Sequence, residues 1–342
     1  MQTGESNQWI NHLRITATFA VIFLHVCSPI LYLFGKISGE NWWTGNIYDS
    51  FVRFCVPIFL MISGTFILPK KYTLKDYFQK RFSRIIYPFV FWSLVYTVFN
   101  YFYFEPQKWN TVEFFTKIYD DFRNGASFHL WYIYMLIGIY LILPIFSKWV
   151  QNATRNEIVF FLAIWFLVLF WDLPFLKEHS TKIDLRHFSG YIGYPILGYF
   201  LAHRLKPNVT PWIAVLLFVA GVFVTAASTF QETLEDFNFD GIFYRYLTPN
   251  VVIASVGIFL ASRTMRFFTK PIPKFLVPVG KYSYGIYLSH LLVLMFFEKF
   301  GLDWQIANPL ISIPLISILC LMASLILTII LNKIPFGKHI SG

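Results

Sequence analysis

Charge is scarce in this chain. Asp, Glu, Lys and Arg make up 13% of its 342 residues, against about 25% in an ordinary soluble domain. Cysteine is scarcer still. Cys27, Cys55 and Cys320 are an odd number, each inside an apolar run. That pattern excludes a disulfide framework, and no metal site is expected; the three read as small buried hydrophobes. No linker rich in Gly, Ser or Pro interrupts the sequence, and no period of about 20–50 residues recurs. Residues 1–342 therefore read as a single integral-membrane domain. Only 11 residues follow the last apolar run, so no fused soluble domain is expected. No small-residue cleavage site follows the first run, which reads as a retained helix rather than a signal peptide.

What the chain does have is apolar length. Hydrophobic residues reach 56% and aromatics 21%, with 40 Phe, and the mean hydropathy is +0.56. A spanning helix needs about 20 mainly apolar residues. The runs predict an all-α polytopic membrane protein with spans near 15–34, 51–68, 85–104, 130–147, 158–173, 188–202, 211–230, 247–262, 282–298 and 306–331. With the N-terminus placed in the cytosol, the cytosolic pieces carry 18 Lys and Arg and the outer loops 9. The positive-inside bias thus predicts both termini in the cytosol. It also accounts for the net charge of +10, so the basic balance does not point to nucleic acid.

Ionisable groups inside lipid are costly and tend to be functional. Arg14 and His25 lie in "LRITATFAVIFLHV". Their separation of 11 residues is three helical turns plus about 20°, so they share a face, with a rise of roughly 16 Å. That puts Arg14 at the cytosolic interface and His25 near the midplane. A plain anchor and a hydrogen-bonded packing histidine are the alternative. The stretch 70–89 holds six basic residues and one acidic, Asp76. Arg81 and Arg84 share a helical face, as do Lys80 and Arg84. Such forks suit phosphate oxygens, or else anionic lipid headgroups. In "RFCVPIFLMISG", Arg53 falls toward the outer face, Ser63 and Gly64 near the inner one, and Pro57 suggests a kink. His129 and Trp131 lie at the outer interface, where Trp131 serves an aromatic belt or a sugar ring. Tyr194 belongs to a short sixth span broken by Gly and Pro, of the kind that lines cavities. His290, about nine residues beyond Lys281, sits roughly 14 Å into the membrane.

With these stretches together, the chain resembles the acyltransferase-3 family of bacterial membrane acyltransferases over nearly its whole length. It is most similar to the standalone branch that O-acetylates surface polysaccharides, such as the enterobacterial common antigen O-acetyltransferase. The residues that carry the resemblance are "NHLRITATFAVIFLH", "RFCVPIFLMISG", "RFSR", "HLWYIYMLIGIYLILP", "GYPILGY" and "YSYGIYLSH". The resemblance implies about ten helices in the bacterial cytoplasmic membrane. It implies acetyl-CoA as the cytosolic donor and a hydroxyl of an extracytoplasmic glycan as acceptor. His25 matches the histidine regarded as essential, Arg14 its motif partner, and Arg81 and Arg84 the donor-side basic pair. Asn11 stands where the family often has Asp, so no carboxylate is expected there to assist Arg14. On this reading Lys80 and Ser63 join the donor site, and Arg53, His129, Trp131, Tyr194 and His290 the acceptor site. His25 acts as general base or as transient acyl carrier. No membrane carboxylate is placed to orient it. The competing class is a transporter, which would use the midplane histidines as a proton relay.

Overall fold

The computed structural model describes residues 8–104, 111–171, 173, 190–205 and 210–342. Among these residues the protein is all-α, with no strand. Among the described residues, seven helical stretches are long and apolar enough to cross a membrane: Gln8–Leu33, Gly39–Ile67, Leu74–Tyr103, Phe128–Asn152, Pro211–Asp236, Ile242–Thr264 and Pro309–Lys333. The protein is thus a multi-pass membrane protein. Three of the ten expected spans fall short of that measure. The fifth appears as Arg155–Val168, of 14 residues, and the ninth as Ser283–Lys299, of 17. The sixth is Gly193–Tyr199 running into a π-turn at Phe200–Arg204, and much of the expected stretch before it lies outside the described residues.

Helix α1 (Gln8–Cys27) stands at the centre. Five consecutive residues, Ala20, Val21, Ile22, Phe23 and Leu24, are buried, so its later half is enclosed on every side. Its neighbours are α2 (Gly39–Val52), α3 (Cys55–Ile67), and the later helices over Pro249–Thr264, Ser283–Lys299 and Pro309–Lys333. Pro29 then ends the α-helical ladder, because it has no N–H to donate, and the chain continues as a 3₁₀ turn, Ser28–Leu33.

The segment expected as an outer loop, 35–50, is mostly helix α2. The chain breaks at Arg53 and Phe54 before α3 begins. The kink therefore lies ahead of Pro57, which sits in the first turn of α3, where a missing N–H leaves no helical bond unmade. Similarly, the basic stretch expected as a loop over 69–84 is largely the start of α4 (Leu74–Phe104). Thr73 opens that helix, its hydroxyl accepting from the Asp76 N–H at 3.1 Å.

Two further pieces complete the frame around the site. Helices α5 (Thr111–Asn124) and α6 (Trp131–Asn152) follow α4, then α7 (Arg155–Val168) and α8 (Gly193–Tyr199). Every residue of α8 is buried, so its break is shielded by protein, as irregular backbone at membrane depth requires. It packs backbone-on-backbone against α3. A Cβ on Gly64 would overlap the Pro195 carbonyl, and one on Gly198 would overlap the Met61 backbone. Gly64→Val is therefore expected to lower the melting temperature in detergent by at least ~3 °C, the scale of an overpacked core. An unchanged melting temperature would count against that close approach.

Helices α9 (Pro211–Asp236), α10 (Pro249–Thr264), α11 (Ser283–Lys299) and α12 (Pro309–Lys333) close the bundle. Leu216, Val219 and Phe223 on α9, and Leu315, Ile318, Met322 and Ile326 on α12, are exposed. Such continuous apolar faces suit hydrocarbon and not water. After α12 the chain folds back as α13 (Gly337–Ile340) against α4 and α12. Asn332 Nδ2 donates to Ser341 Oγ at 2.5 Å and fixes that return.

Candidate functional site

Two cavities open at opposite ends of α1 and α3. They share no lining residue. The first, of about 510 Å³, is the basic cavity. Arg14 from α1, Ser63 from α3, Arg81 and Arg84 from α4, Lys281 from the turn before α11, and Lys338 from α13 all line it. Among the described residues, no acidic side chain does. Ser63 Oγ lies 3.2 Å from the Tyr140 hydroxyl, and the Arg14 guanidinium carbon lies 6.0 Å from the centre of the Phe66 ring. Arg81 and Arg84 also border an open groove of about 780 Å³ along α4, with Lys70, Lys80 and Asp76. Lys80, expected beside Arg81 and Arg84, thus faces the groove and not the cavity, a consequence of the 100° step between Lys80 and Arg81.

The second, of about 940 Å³, is the histidine cavity. His25 and Ser28 from the end of α1, Arg53 from the α2–α3 break, Trp131 from the start of α6 and Tyr191 line it, with Tyr244, Arg245 and Tyr246 ahead of α10. Trp131 stacks on Tyr246, centroids 5.7 Å apart and planes at 21°. The spacing of Arg14 and His25 comes out as read. They share a face of one helix, but that face opens on a different cavity at each end.

Rings fill the wall between the cavities. Tyr132 and Tyr287, which line the basic cavity, have centroids 5.3 Å apart. Tyr287 lies 5.7 Å from His290, and His290 lies 5.1 Å from His25. His129 joins the same group, 5.3 Å from His290. Its Nδ1 lies 3.0 Å from Ser127 Oγ, and its carbonyl accepts the Tyr287 hydroxyl at 2.5 Å. His290 Nδ1 lies 2.5 Å from the Tyr287 carbonyl. A carbonyl only accepts, so in the neutral ring Nδ1 carries the hydrogen and Nε2 is left with its lone pair. Among the described residues, neither His290 Nε2 nor His129 Nε2 has a hydrogen-bond partner, though both are buried.

Three residues expected at the acceptor site do not line the histidine cavity. His129 and His290 are buried in the wall. Tyr194 is fully buried on α8, its hydroxyl donating to the Tyr246 carbonyl, and it lines neither cavity. Tyr191, three residues earlier, takes the place expected of it. Arg53 and Trp131 both line the histidine cavity.

Three features had no forewarning. Lys281 and Lys338 complete the basic cavity, the latter only because the chain folds back after α12. The third is a buried carboxylate in the bundle. Asp49, fully buried on α2, is ion-paired with Arg53 and accepts from Ser28 Oγ at 2.6 Å. Its signal in the sequence was the spacing of Asp49 and Arg53, i and i+4, hidden by the reading of 35–50 as a loop.

A sequence profile described as an acyltransferase domain matches residues 7–332. The chain belongs to the acyltransferase-3 family. The matched residues include all of α1 through α11 and most of α12, so both cavities lie inside the acyltransferase domain, apart from the wall contributed by α13. A Bacillus subtilis (strain 168) protein named "Putative membrane-bound acyltransferase YfiQ" is 20% identical over 351 residues, covering 96% of this chain and 92% of that one. No solved structure matches the chain. By family and by its apolar helices, the protein is a membrane acyltransferase, which sets aside the transporter expectation.

Proposed function

We propose that this acyltransferase moves an acetyl group from acetyl-CoA, bound on the cytosolic side, to a hydroxyl of a surface polysaccharide or lipid-linked glycan outside the bacterial cytoplasmic membrane. The observation that carries the reading is the division of labour along α1. Arg14 faces a cavity whose charged side chains, among the described residues, are all cations, and His25 faces a separate cavity lined by aromatic rings. The excess of Lys and Arg at the basic end favours the cytosol for that end.

Arg forks bind phosphate oxygens in pairs. The groove shared by Lys80, Arg81 and Arg84 suits the nucleotide end of the donor, and the cavity beyond it suits the pantetheine arm. At the other end, aromatic faces such as Trp131 offer a sugar ring flat apolar contact. His25 lies between these functions. In the transfer, a bond forms between the acceptor oxygen and the acyl carbon, and the carbon–sulfur bond breaks. The hydroxyl proton passes to His25 and from there to the departing thiolate, which leaves as the thiol. In the carrier variant, the imidazole nitrogen first holds the acyl group and then yields it to the oxygen.

The test is transfer by purified protein in proteoliposomes, with labelled acetyl-CoA on one side and a cell-envelope glycan on the other. Label is expected in base-labile ester on the glycan. Label retained only on CoA, with every acceptor fraction supplied, would sink the reading. Lys338→Ala is expected to raise the KM for acetyl-CoA about tenfold, as loss of one charge-assisted contact does. A KM within twofold of the parent would remove Lys338 from the donor site.

A further inference from the structure

Asp49 has no place in the reading so far, and its setting is unusual. A buried ion pair carries a desolvation penalty of several kcal/mol per ion, which excellent geometry must offset. Here the geometry is complete on both oxygens. Oδ1 accepts from Arg53 Nε and Oδ2 from Ser28 Oγ, the latter at 2.6 Å. Both contacts come from groups that line the histidine cavity, while Asp49 itself does not line it.

Arg53 is clamped from its other side as well. The Tyr244 ring lies 4.3 Å from the guanidinium carbon, and the Tyr244 carbonyl accepts from Nη1 at 3.4 Å. Tyr244 is in turn held by Asn46, which receives its hydroxyl bond, while Asn46 Nδ2 donates to the Ala226 carbonyl at 3.0 Å. Asn46, Asp49, Ser50 and Tyr244 are all buried. Among the described residues, no acceptor meets Arg53 Nη2. One edge of a rigidly held guanidinium therefore remains free, in the cavity that His25 lines.

We propose that Asp49 is a positioning residue for the transfer. It fixes Arg53 so that Nη2 donates to the acyl carbonyl oxygen as that oxygen becomes negative. This rests on the reading of His25 as the working group. As the acceptor oxygen bonds to the acyl carbon and its proton moves to His25, the carbonyl π pair shifts onto oxygen. That pair returns when the carbon–sulfur bond breaks. A donor fixed in advance stabilises the charged stage more than the ground state, so its benefit falls on turnover. A mere counter-ion that lets Arg53 be buried would be silent in turnover once the protein is folded.

The experiment uses full-length protein in proteoliposomes. Asp49→Asn is expected to lower kcat about 10²-fold, the scale of one lost oxyanion donor, with the acceptor KM within twofold. A kcat within threefold of the parent, or a higher acceptor KM at unchanged kcat, overturns the proposal. If Asp49→Asn does not insert, because it leaves a cation buried alone, two variants lacking that cation decide the matter. Added guanidinium chloride is expected to restore activity to Arg53→Ala more than threefold better than to Asp49→Asn/Arg53→Ala. Equal restoration, or none in either, overturns it. His25→Ala run in parallel separates the two levels. If that variant stays active, the underlying reading falls, whatever Asp49 does.

Discussion

Replacing His25 with alanine is expected to abolish glycan acetylation while the protein still inserts and binds donor. A general base contributes about 10²–10⁴-fold, and a covalent carrier leaves no alternative route when removed. The direction does not depend on which role His25 plays. It follows from position: His25 lines the histidine cavity and its ring contacts His290 in the wall, and Phe128 on the other side, at 5.3 Å between centroids. Alanine leaves the helix intact, since its propensity is the highest of any residue. The measurement is ester formation per mole of inserted protein, with donor affinity measured separately. Parental activity in the variant would end the proposal. Acid-quenched labelled protein distinguishes the roles, because only a carrier retains label on the parental chain when acceptor is withheld.

The second large effect is expected at the donor end. Arg81→Ala with Arg84→Ala should raise the KM for acetyl-CoA by about 10²-fold. Bonds to charged groups are worth about 1.5–3 kcal/mol each, and about 1.4 kcal/mol is a factor of ten. The acceptor KM should not move, because neither residue reaches the histidine cavity. Added salt should weaken the parent more than the variant, as screening removes what the variant already lacks. Lysine in place of both arginines should restore only part, having charge without the fork. Unchanged donor dependence in the double variant would show that the pair faces lipid headgroups instead.

Much of the arrangement could be read ahead from helical geometry. Arg14 and His25 share a face because α1 runs unbroken through both, and a helix fixes that angle whatever packs around it. The same logic put Arg81 and Arg84 together, and it held because α4 starts earlier than its apolar run. Where the reading missed, polar content or long-range packing decided. Asn46, Asp49 and Ser50 made α2 look like a loop, because a run-based reading cannot distinguish a buried polar network from solvent-facing residues. Tyr194 and Tyr191 differ by a turn in a broken segment, where no period predicts which one faces a cavity. Lys338 entered through the return of α13, which nothing local in the sequence announces.

The wall of rings between the cavities has an electrical consequence. Moving one elementary charge across a membrane costs about 2.3 kcal/mol per 100 mV. In the proposed reaction, donor and spent donor carry equal charge on one side, and acceptor and product carry equal charge on the other. The acyl group would leave the donor side as one proton returns to it, past a wall of Tyr132, Tyr287, His290 and His25, with no net charge crossing between aqueous spaces. Transfer would then run at the same rate in an energised and a de-energised cell, leaving the membrane voltage untouched.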